Sequence, residues 1–596
     1  MFRQSWALWS RLIVIFLLAM AGHSVLADPP ALQTVVTSIP ASSPDDSGNP
    51  VSLDAEVIVP ILEYAVPGVI WNHGFGGHKG NDRAIRERLA QRGYVVLSYS
   101  SRGFGDTPGQ VDLMGPKEQQ DLIDAVNWLI DPGNPIVGGA VIPDSIGQVG
   151  ASYGGLHAWS LARSGHPAVR TVVPIATATN LYEAIVPYDV AMLVWPVGFY
   201  ATGFVPEENN YSATFHQIVL EMVSGVNMPH VYNELTARGM TGRWDDVDIP
   251  VFVIQGINDS LFPANPGMKA FQELRSRGIE TRLYLGGIGH PPAVGDGPEI
   301  ERLYDQVLQW LDRHLKGAPE SETPLINTSD IEIANTGYVN SHWDGTVRYA
   351  NSISTPGRTY YLKATSPFGG TLSTTPPLPL LTPPLPMINT YAGSGYLDEP
   401  VTSELLLGLG LPLPNLSQIP GVLTFETAPF TSANAIDIAG IPTFNLKVIS
   451  IHQLPVGAPG LLAAFQADPK IWDVDPAGNA TLISRGAFSE PVNSAPLVAS
   501  ALHTASFESF ALFYTFQPGH RLRITLSTED APYLRPTTNP FIVTIHPGSK
   551  VTFPTGSWLS APDQVATVPD PEPVIPPTVF EGLMSVQELV FDFLGV

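Results

Sequence analysis

The sequence predicts an α/β domain, a mainly parallel sheet covered by helices on both faces, followed by an all-β sandwich. Three observations predict it. From about residue 51 to 315, apolar strand-like runs alternate with segments of helical spacing. Beyond about residue 325, short strand-like runs recur between turn residues, with no long helix among them. Of 596 residues, 54 are Gly and 58 are Pro, enough turn formers to disfavour an all-helical chain. The 44% apolar content excludes wholesale disorder.

The elements follow in order. Arg3 and Arg11 accompany the apolar run Leu12 to Ala21, and Val25-Leu26-Ala27 ends on a small residue. That is the layout of a secretory leader, too short for the ~20 residues of a membrane-spanning helix. The reading is a signal peptide over 1–27, cleaved near Ala27, on a secreted or periplasmic chain with no membrane span thereafter. Val51 to Val59 alternates apolar and polar, and Val69-Ile70-Trp71 is a buried-type strand running into His73-Gly74-Phe75-Gly76-Gly77. Helical spacing covers 82–92, with Ile85 and Leu89 on one face; Gly93 stops it and Tyr94 to Tyr99 is the next strand. A helix over 117–130 ends near Pro132. Ile146 to Val149 is a strand, Tyr153 to about Arg163 a helix, and Val169 to Ala176 a strand. Residues 180–248, rich in aromatics, interrupt the alternation as a helical cap insertion. Strand, helix, strand, helix then resume at Val251–Gln255, 267–277, Thr281–Leu285 and 298–315. The expected domains are 28–320 and a β-sandwich over 325–550. A Pro-rich linker and tail span 551–596, with a short apolar helix at Val586–Phe593.

Composition excludes several classes of chemistry. There are no cysteines, hence no disulfide, thiolate nucleophile or Cys-ligated metal. A net charge of −25 opposes nucleic-acid binding.

Gly150-Ala151-Ser152-Tyr153-Gly154 is a G-x-S-x-G sequence between a predicted strand and a predicted helix. Such a turn lifts a serine hydroxyl to the top of the sheet and aims the N–H of Tyr153 where a carbonyl oxygen gains negative charge. A serine hydroxyl needs a base, and the base needs an orienting acid. In an α/β-hydrolase they follow in the order acid then histidine, at the ends of later strands. Asp259, in the loop after Val251–Gln255, and His290, in the loop after Arg282–Leu285, satisfy both order and position. Asp296 is the rival acid, but it follows the histidine and no strand leads into it. The second oxyanion donor is assigned to the backbone N–H of Phe75.

These residues resemble the peptidase S15 group, the cocaine-esterase-like and X-Pro dipeptidyl-peptidase-like acyl hydrolases. The likeness rests on the G-x-S-Y-x-G elbow, the Arg102-Gly103-Phe104-Gly105 turn, the Glu118 to Leu129 helix, and the loops carrying Asp259 and His290. It also rests on Leu423 to Gly440 and Trp472 to Gly478, in what would be the family's C-terminal jelly-roll-like domain, and covers roughly residues 50–545. The resemblance implies an α/β-hydrolase fold with a cap. Two departures stand out: Phe75 occupies the early loop where the family usually has a tyrosine, and Ser100 replaces an acidic residue two positions before the turn arginine.

The sequence therefore predicts a secreted serine hydrolase that cleaves small-molecule or polymeric carboxylic esters through an acyl-enzyme. The alternatives are an X-Pro dipeptidyl peptidase and an acyltransferase on the same triad, and more distantly a non-catalytic polymer-binding surface protein. No cofactor or metal is implied, since His73 and His78 lack a nearby third ligand. Oligomeric state is not legible.

Overall fold

In the computed structural model the described residues are 29–193, 195–196, 211–257, 259–290, 297–327, 329–336, 343–350, 353, 357–379, 382–389, 421–432, 436–452, 463–491, 499–530, 533–535, 537, 540–555 and 563–564. The expected leader, most of the expected Pro-rich tail and the expected helix at Val586–Phe593 lie outside them, as does Asp296.

The first sheet is built from β1 (Leu32–Pro40), β2 (Ser52–Pro60), β3 (Val66–Asn72), β4 (Val95–Tyr99), β5 (Val141–Ala151), β6 (Val169–Ile175), β7 (Val251–Gly256), β8 (Thr281–Gly286), β9 (Ile331–Thr336) and β10 (Trp343–Ala350). Their spatial order is β1-β2-β4-β3-β5-β6-β7-β8-β9-β10. From β4 through β9 the pairing is parallel, with antiparallel strands at both edges. Strands β3, β4, β7 and β8 are buried along their whole length, as a sheet covered on both faces requires. The helices are α1 (Arg83–Gln91), α2 (Pro116–Ile130), α3 (Tyr153–Ala162), α4 (Leu181–Ile185), α5 (Ala213–Ser224), α6 (Met228–Ala237), α7 (Ala264–Ser276) and α8 (Gly297–Lys316). Ile85 and Leu89 of α1 join Leu303, Val307 and Trp310 of α8 on one face of the sheet. Leu122 and Val126 of α2, Trp159 of α3 and Phe271 of α7 pack on the other. This is the α/β-hydrolase fold. Helices α4 to α6 form the cap, and their apolar residues pack on the loops at the carboxyl ends of the strands.

Two features depart from the sequence reading. Edge strand β1 pairs with β2 over nine residues and has no counterpart among the expected elements. Strands β9 and β10 lie beyond the expected boundary near 325, yet they continue the first sheet. A strand-like run carries no mark of which sheet it will join; the long helix α8 before β9 supplies the crossover that returns the chain parallel to β8.

The second domain is a mostly antiparallel β-structure whose largest sheet includes 443–452, 468–474, 521–527 and 541–545. Phe425, Phe444, Ile471, Ile524 and Val543 form its separate core. The stretch Asp475 to Asn479, after Trp472, is a tight turn closed by the Asp475 carboxylate on Asn479. After this domain the chain returns to the first sheet: Asp563–Gln564 pairs with Thr346 and Val347 of β10. Among the described residues no helix is long and apolar enough to cross a membrane.

Candidate active site

The turn between β5 and α3 is forced by close contacts. A Cβ on Gly150 would lie 2.5 Å from the Gly154 carbonyl oxygen, and one on Gly154 would lie 2.2 Å from the Asn72 carbonyl oxygen. Only glycine fits at either position. Ser152 between them sits at φ 56°, ψ −117°, a left-handed conformation that costs a non-glycine residue about 1–3 kcal/mol and persists only when its surroundings hold it. They do: the Ser152 N–H donates to Ile175 O at 2.8 Å, and Thr177 Oγ1 donates to Ser152 O at 2.9 Å.

The sequence candidates Ser152, His290 and Asp259 meet in space, from loops after β5, β8 and β7. Ser152 Oγ lies 2.9 Å from His290 Nε2. His290 Nδ1 lies 2.9 and 3.0 Å from the two carboxylate oxygens of Asp259. Asp259 Oδ1 also accepts the N–H groups of Leu261 and Phe262, each at 2.8 Å, so its own turn holds the carboxylate. All three side chains are buried. The Trp195 and Phe262 rings meet the imidazole edge to face, 5.6 and 5.2 Å away between centroids. An alternating line of donors and acceptors that ends on a serine hydroxyl can move a proton away from oxygen while that oxygen attacks a carbonyl.

The other two candidates flank Ser152. Tyr153 is the first residue of α3, so its N–H has no intrahelical acceptor. The loop after β3 runs beside the serine: a Cβ on Gly74 would lie 3.9 Å from Ser152 Cβ, and Phe75 follows. The Phe75 ring packs edge-on against Phe104 and Tyr153, at 5.1 and 5.9 Å, and is 5% exposed. His73 braces this loop. Its Nδ1 donates to Gly74 O at 2.7 Å and its Nε2 accepts the Ser101 N–H at 3.0 Å, a pattern only the neutral ring satisfies. Burial accordingly pushes the His73 imidazole down to about 4.

The turn that packs on this loop is held by Arg102, whose guanidinium is bidentate to Asp121 at 2.6 and 2.7 Å. Ser100, at the position of the missing acid, places its hydroxyl 3.4 Å from the carboxylate of Asp54, contributed by β2 instead. Two contacts of the site are not legible in the sequence, although the helix that carries Glu118 is. Glu118 is buried, accepts the Asp112 N–H at 2.7 Å and the Met114 N–H, and is pushed up to about 8 by desolvation. Ser260 Oγ accepts the Trp195 Nε1–H at 3.1 Å, tying the cap to the acid loop.

A cavity of about 360 Å³ lies between cap and β-domain, walled by Tyr182, Tyr188, Tyr232 and the Lys269–Glu508 ion pair. None of the three aligned residues lines it.

Comparison with known proteins agrees with this architecture. Residues 27–213 match the model of the X-Pro dipeptidyl-peptidase (S15) family, and residues 349–559 match that of the X-Pro dipeptidyl-peptidase C-terminal non-catalytic domain. A cocaine esterase from Rhodococcus sp. is 21% identical over 510 residues, covering 74% of this chain and 81% of that protein. A dipeptidyl-peptidase 5 from Porphyromonas gingivalis is 26% identical over 234 residues, but the chain spans only 30% of its length. Among solved structures, an alpha-amino acid ester hydrolase superposes with a TM-score of 0.63 at 18% identity, over 89% of this chain and 98% of the other. That last likeness carries the fold.

Proposed function

We propose that this serine hydrolase, an S15-type enzyme by its two matched domains, cleaves carboxylic esters with Ser152 as nucleophile, His290 as base and Asp259 as the orienting acid. The observation that carries the reading is the unbroken line Ser152 Oγ, His290 Nε2, His290 Nδ1, Asp259 at an elbow turn. Ser152 Oγ attacks the ester carbonyl carbon as its proton passes to His290 Nε2. The oxygen that gains charge is met by the N–H groups of Tyr153 and Phe75. The tetrahedral intermediate collapses to the acyl-enzyme, and the alcohol departs with the proton held by His290. Water then repeats the sequence: His290 takes its proton, the acyl group is released as the acid, and Ser152 recovers its hydrogen.

Esters are favoured over amides because of Phe75. An amide needs its oxyanion held firmly and its poor leaving group protonated. The Phe75 ring brings no hydroxyl, and it is packed away among Phe104, Tyr153, Tyr211 and Phe215. One oxyanion donor is worth ~2.7–4 kcal/mol in kcat, so aryl or short-chain esters should exceed an X-Pro-p-nitroanilide by at least ~100-fold in kcat/KM. Both substrates on one preparation decide the matter. Equal or faster cleavage of the X-Pro amide would replace this reading with the dipeptidyl peptidase one. Export rests on the composition of residues 1–27; the N-terminus of protein recovered outside the cytoplasm should then lie just after Ala27.

A further inference from the structure

We propose that Tyr533, a residue of the β-domain, is a positioning residue for the acid loop of the hydrolase domain. The inference rests on the reading that Ser152, His290 and Asp259 do the chemistry. Tyr533 is 2% exposed and lies 273 positions beyond Ser260, yet its phenol O–H donates to the Ser260 carbonyl at 2.5 Å. That carbonyl and the N–H of Leu261 belong to one peptide unit, which is planar and turns as a body. The Leu261 N–H donates to Asp259 Oδ1 at 2.8 Å. One rigid plane is thus held by Tyr533 on its oxygen side and grips the Asp259 carboxylate on its nitrogen side. The chain of bonds runs from the Tyr533 hydroxyl through this peptide to Asp259, His290 and Ser152. Buried hydrogen bonds linked in this way polarise and orient one another.

Tyr533 is itself fixed from two directions. The Arg485 guanidinium lies over its ring, 3.8 Å from the centroid. Its backbone is stitched to the cap segment that precedes Trp195: Leu193 N donates to Tyr533 O at 2.8 Å, and Arg535 N donates to Ala191 O at 2.7 Å. Trp195 in turn reaches Ser260 Oγ and lies edge-on to His290. Both polar handles of Ser260, carbonyl and hydroxyl, are therefore held, one directly by the β-domain and the other by the cap segment stitched to it.

Tyr533→Phe tests the proposal. Phenylalanine keeps the ring beneath Arg485 and removes only the donor. On p-nitrophenyl acetate, kcat should fall roughly 10-fold with KM little changed, the scale of one buried hydrogen bond. The rate of inactivation by a fluorophosphonate should fall in parallel. Tyr514→Phe, which removes a tyrosine–aspartate bond of 2.7 Å elsewhere in the β-domain, should leave both rates at wild type. In an Asp259→Asn background, Tyr533→Phe should cost less than about twofold further, because the group through which it acts is already impaired. Wild-type kcat in Tyr533→Phe, a loss confined to KM, or a full 10-fold loss on top of Asp259→Asn would each overturn the proposal. Failure of the underlying reading shows separately, as activity and labelling that survive Ser152→Ala.

Discussion

Both domains bury ionisable side chains, and they use them differently. In the hydrolase domain the buried groups close on partners. Glu332 accepts Arg302 twice, at 2.7 and 2.9 Å, and Arg282 at 2.8 Å. His290 stands in line between a hydroxyl and a carboxylate. In the β-domain, the buried carboxyl of Asp468 neighbours those of Asp530 and Glu529, and Lys470 Nζ lies 3.2 Å and Arg485 3.7 Å from Asp530. Burial and the neighbouring carboxyls push Asp468 well up, and burial pushes Glu529 up to about 7. Buried charge alone therefore does not mark an active site. What distinguishes the first cluster is direction: alternating donors and acceptors that end on a nucleophilic oxygen.

The sharpest way to break this contrast is at the triad. Ser152→Ala should lower kcat/KM for esters by ~10³–10⁶-fold and abolish fluorophosphonate labelling. Asp259→Asn should lower kcat by up to about 10⁴-fold, by favouring the wrong imidazole tautomer. An Asp259→Asn enzyme of near-wild-type rate would move the acid elsewhere. Cutting the β-domain cluster should act on stability instead. Lys470→Met strands buried carboxyls and should cost about 3–5 kcal/mol in urea unfolding. Its loss of kcat in the folded fraction should be far smaller than that of the triad variants.

Acidity offers a gentler probe. Burial holds His73 and His157 down to about 4 and about 3, from an ordinary 6.5. The stability they contribute is fully present above about 6.5 and is lost as pH falls through those lower values. Glu529 is raised from 4.5 to about 7, so its contribution is present below about 4.5 and is lost as pH rises through 7. Calorimetry across pH 4–8 should therefore show the hydrolase domain weakening on the acid side, while Glu529→Gln flattens a loss on the neutral side. Glu118, raised to about 8, and Asp121, also raised by burial, follow the β-domain's sign within the hydrolase domain. An identical pH response in wild type and Glu529→Gln would dissolve the contrast. The smallest expected effect is that of Phe75→Tyr: a restored phenol beside the elbow should raise X-Pro-amide cleavage relative to esters by up to about tenfold, less than the ~10²–10³-fold of a well-placed oxyanion donor.

Much of the hydrolase domain was legible because its signals are local. The elbow is five contiguous residues, and Asp259 and His290 each follow a short apolar run closed by glycine. What stayed hidden depends on pairing over distance. Membership of β9 and β10 in the first sheet is decided by hydrogen bonds to β8 that no short window contains. The pairing of β1 with β2 leaves little trace in the sequence, because β1 is an edge strand with mostly exposed or half-exposed side chains and its alternation is faint. Glu118 sits on a predicted helix, but only the fold shows that it is buried against the Asp112 and Met114 backbone. Tyr533 meets Ser260 across 273 positions, and no motif joins them.

The return of Asp563–Gln564 to β10 has a mechanical consequence. The β-domain is entered from the end of β10 at Ala350 and left through a segment that pairs with that same strand. Its two chain ends are thus anchored side by side on one sheet edge, as the two cords of a pouch are knotted at one point. A body suspended by a single cord can swing freely, whereas one tied twice can only rock. The shared edge strand thus ties what looks like a chain of two beads at both ends of the second bead.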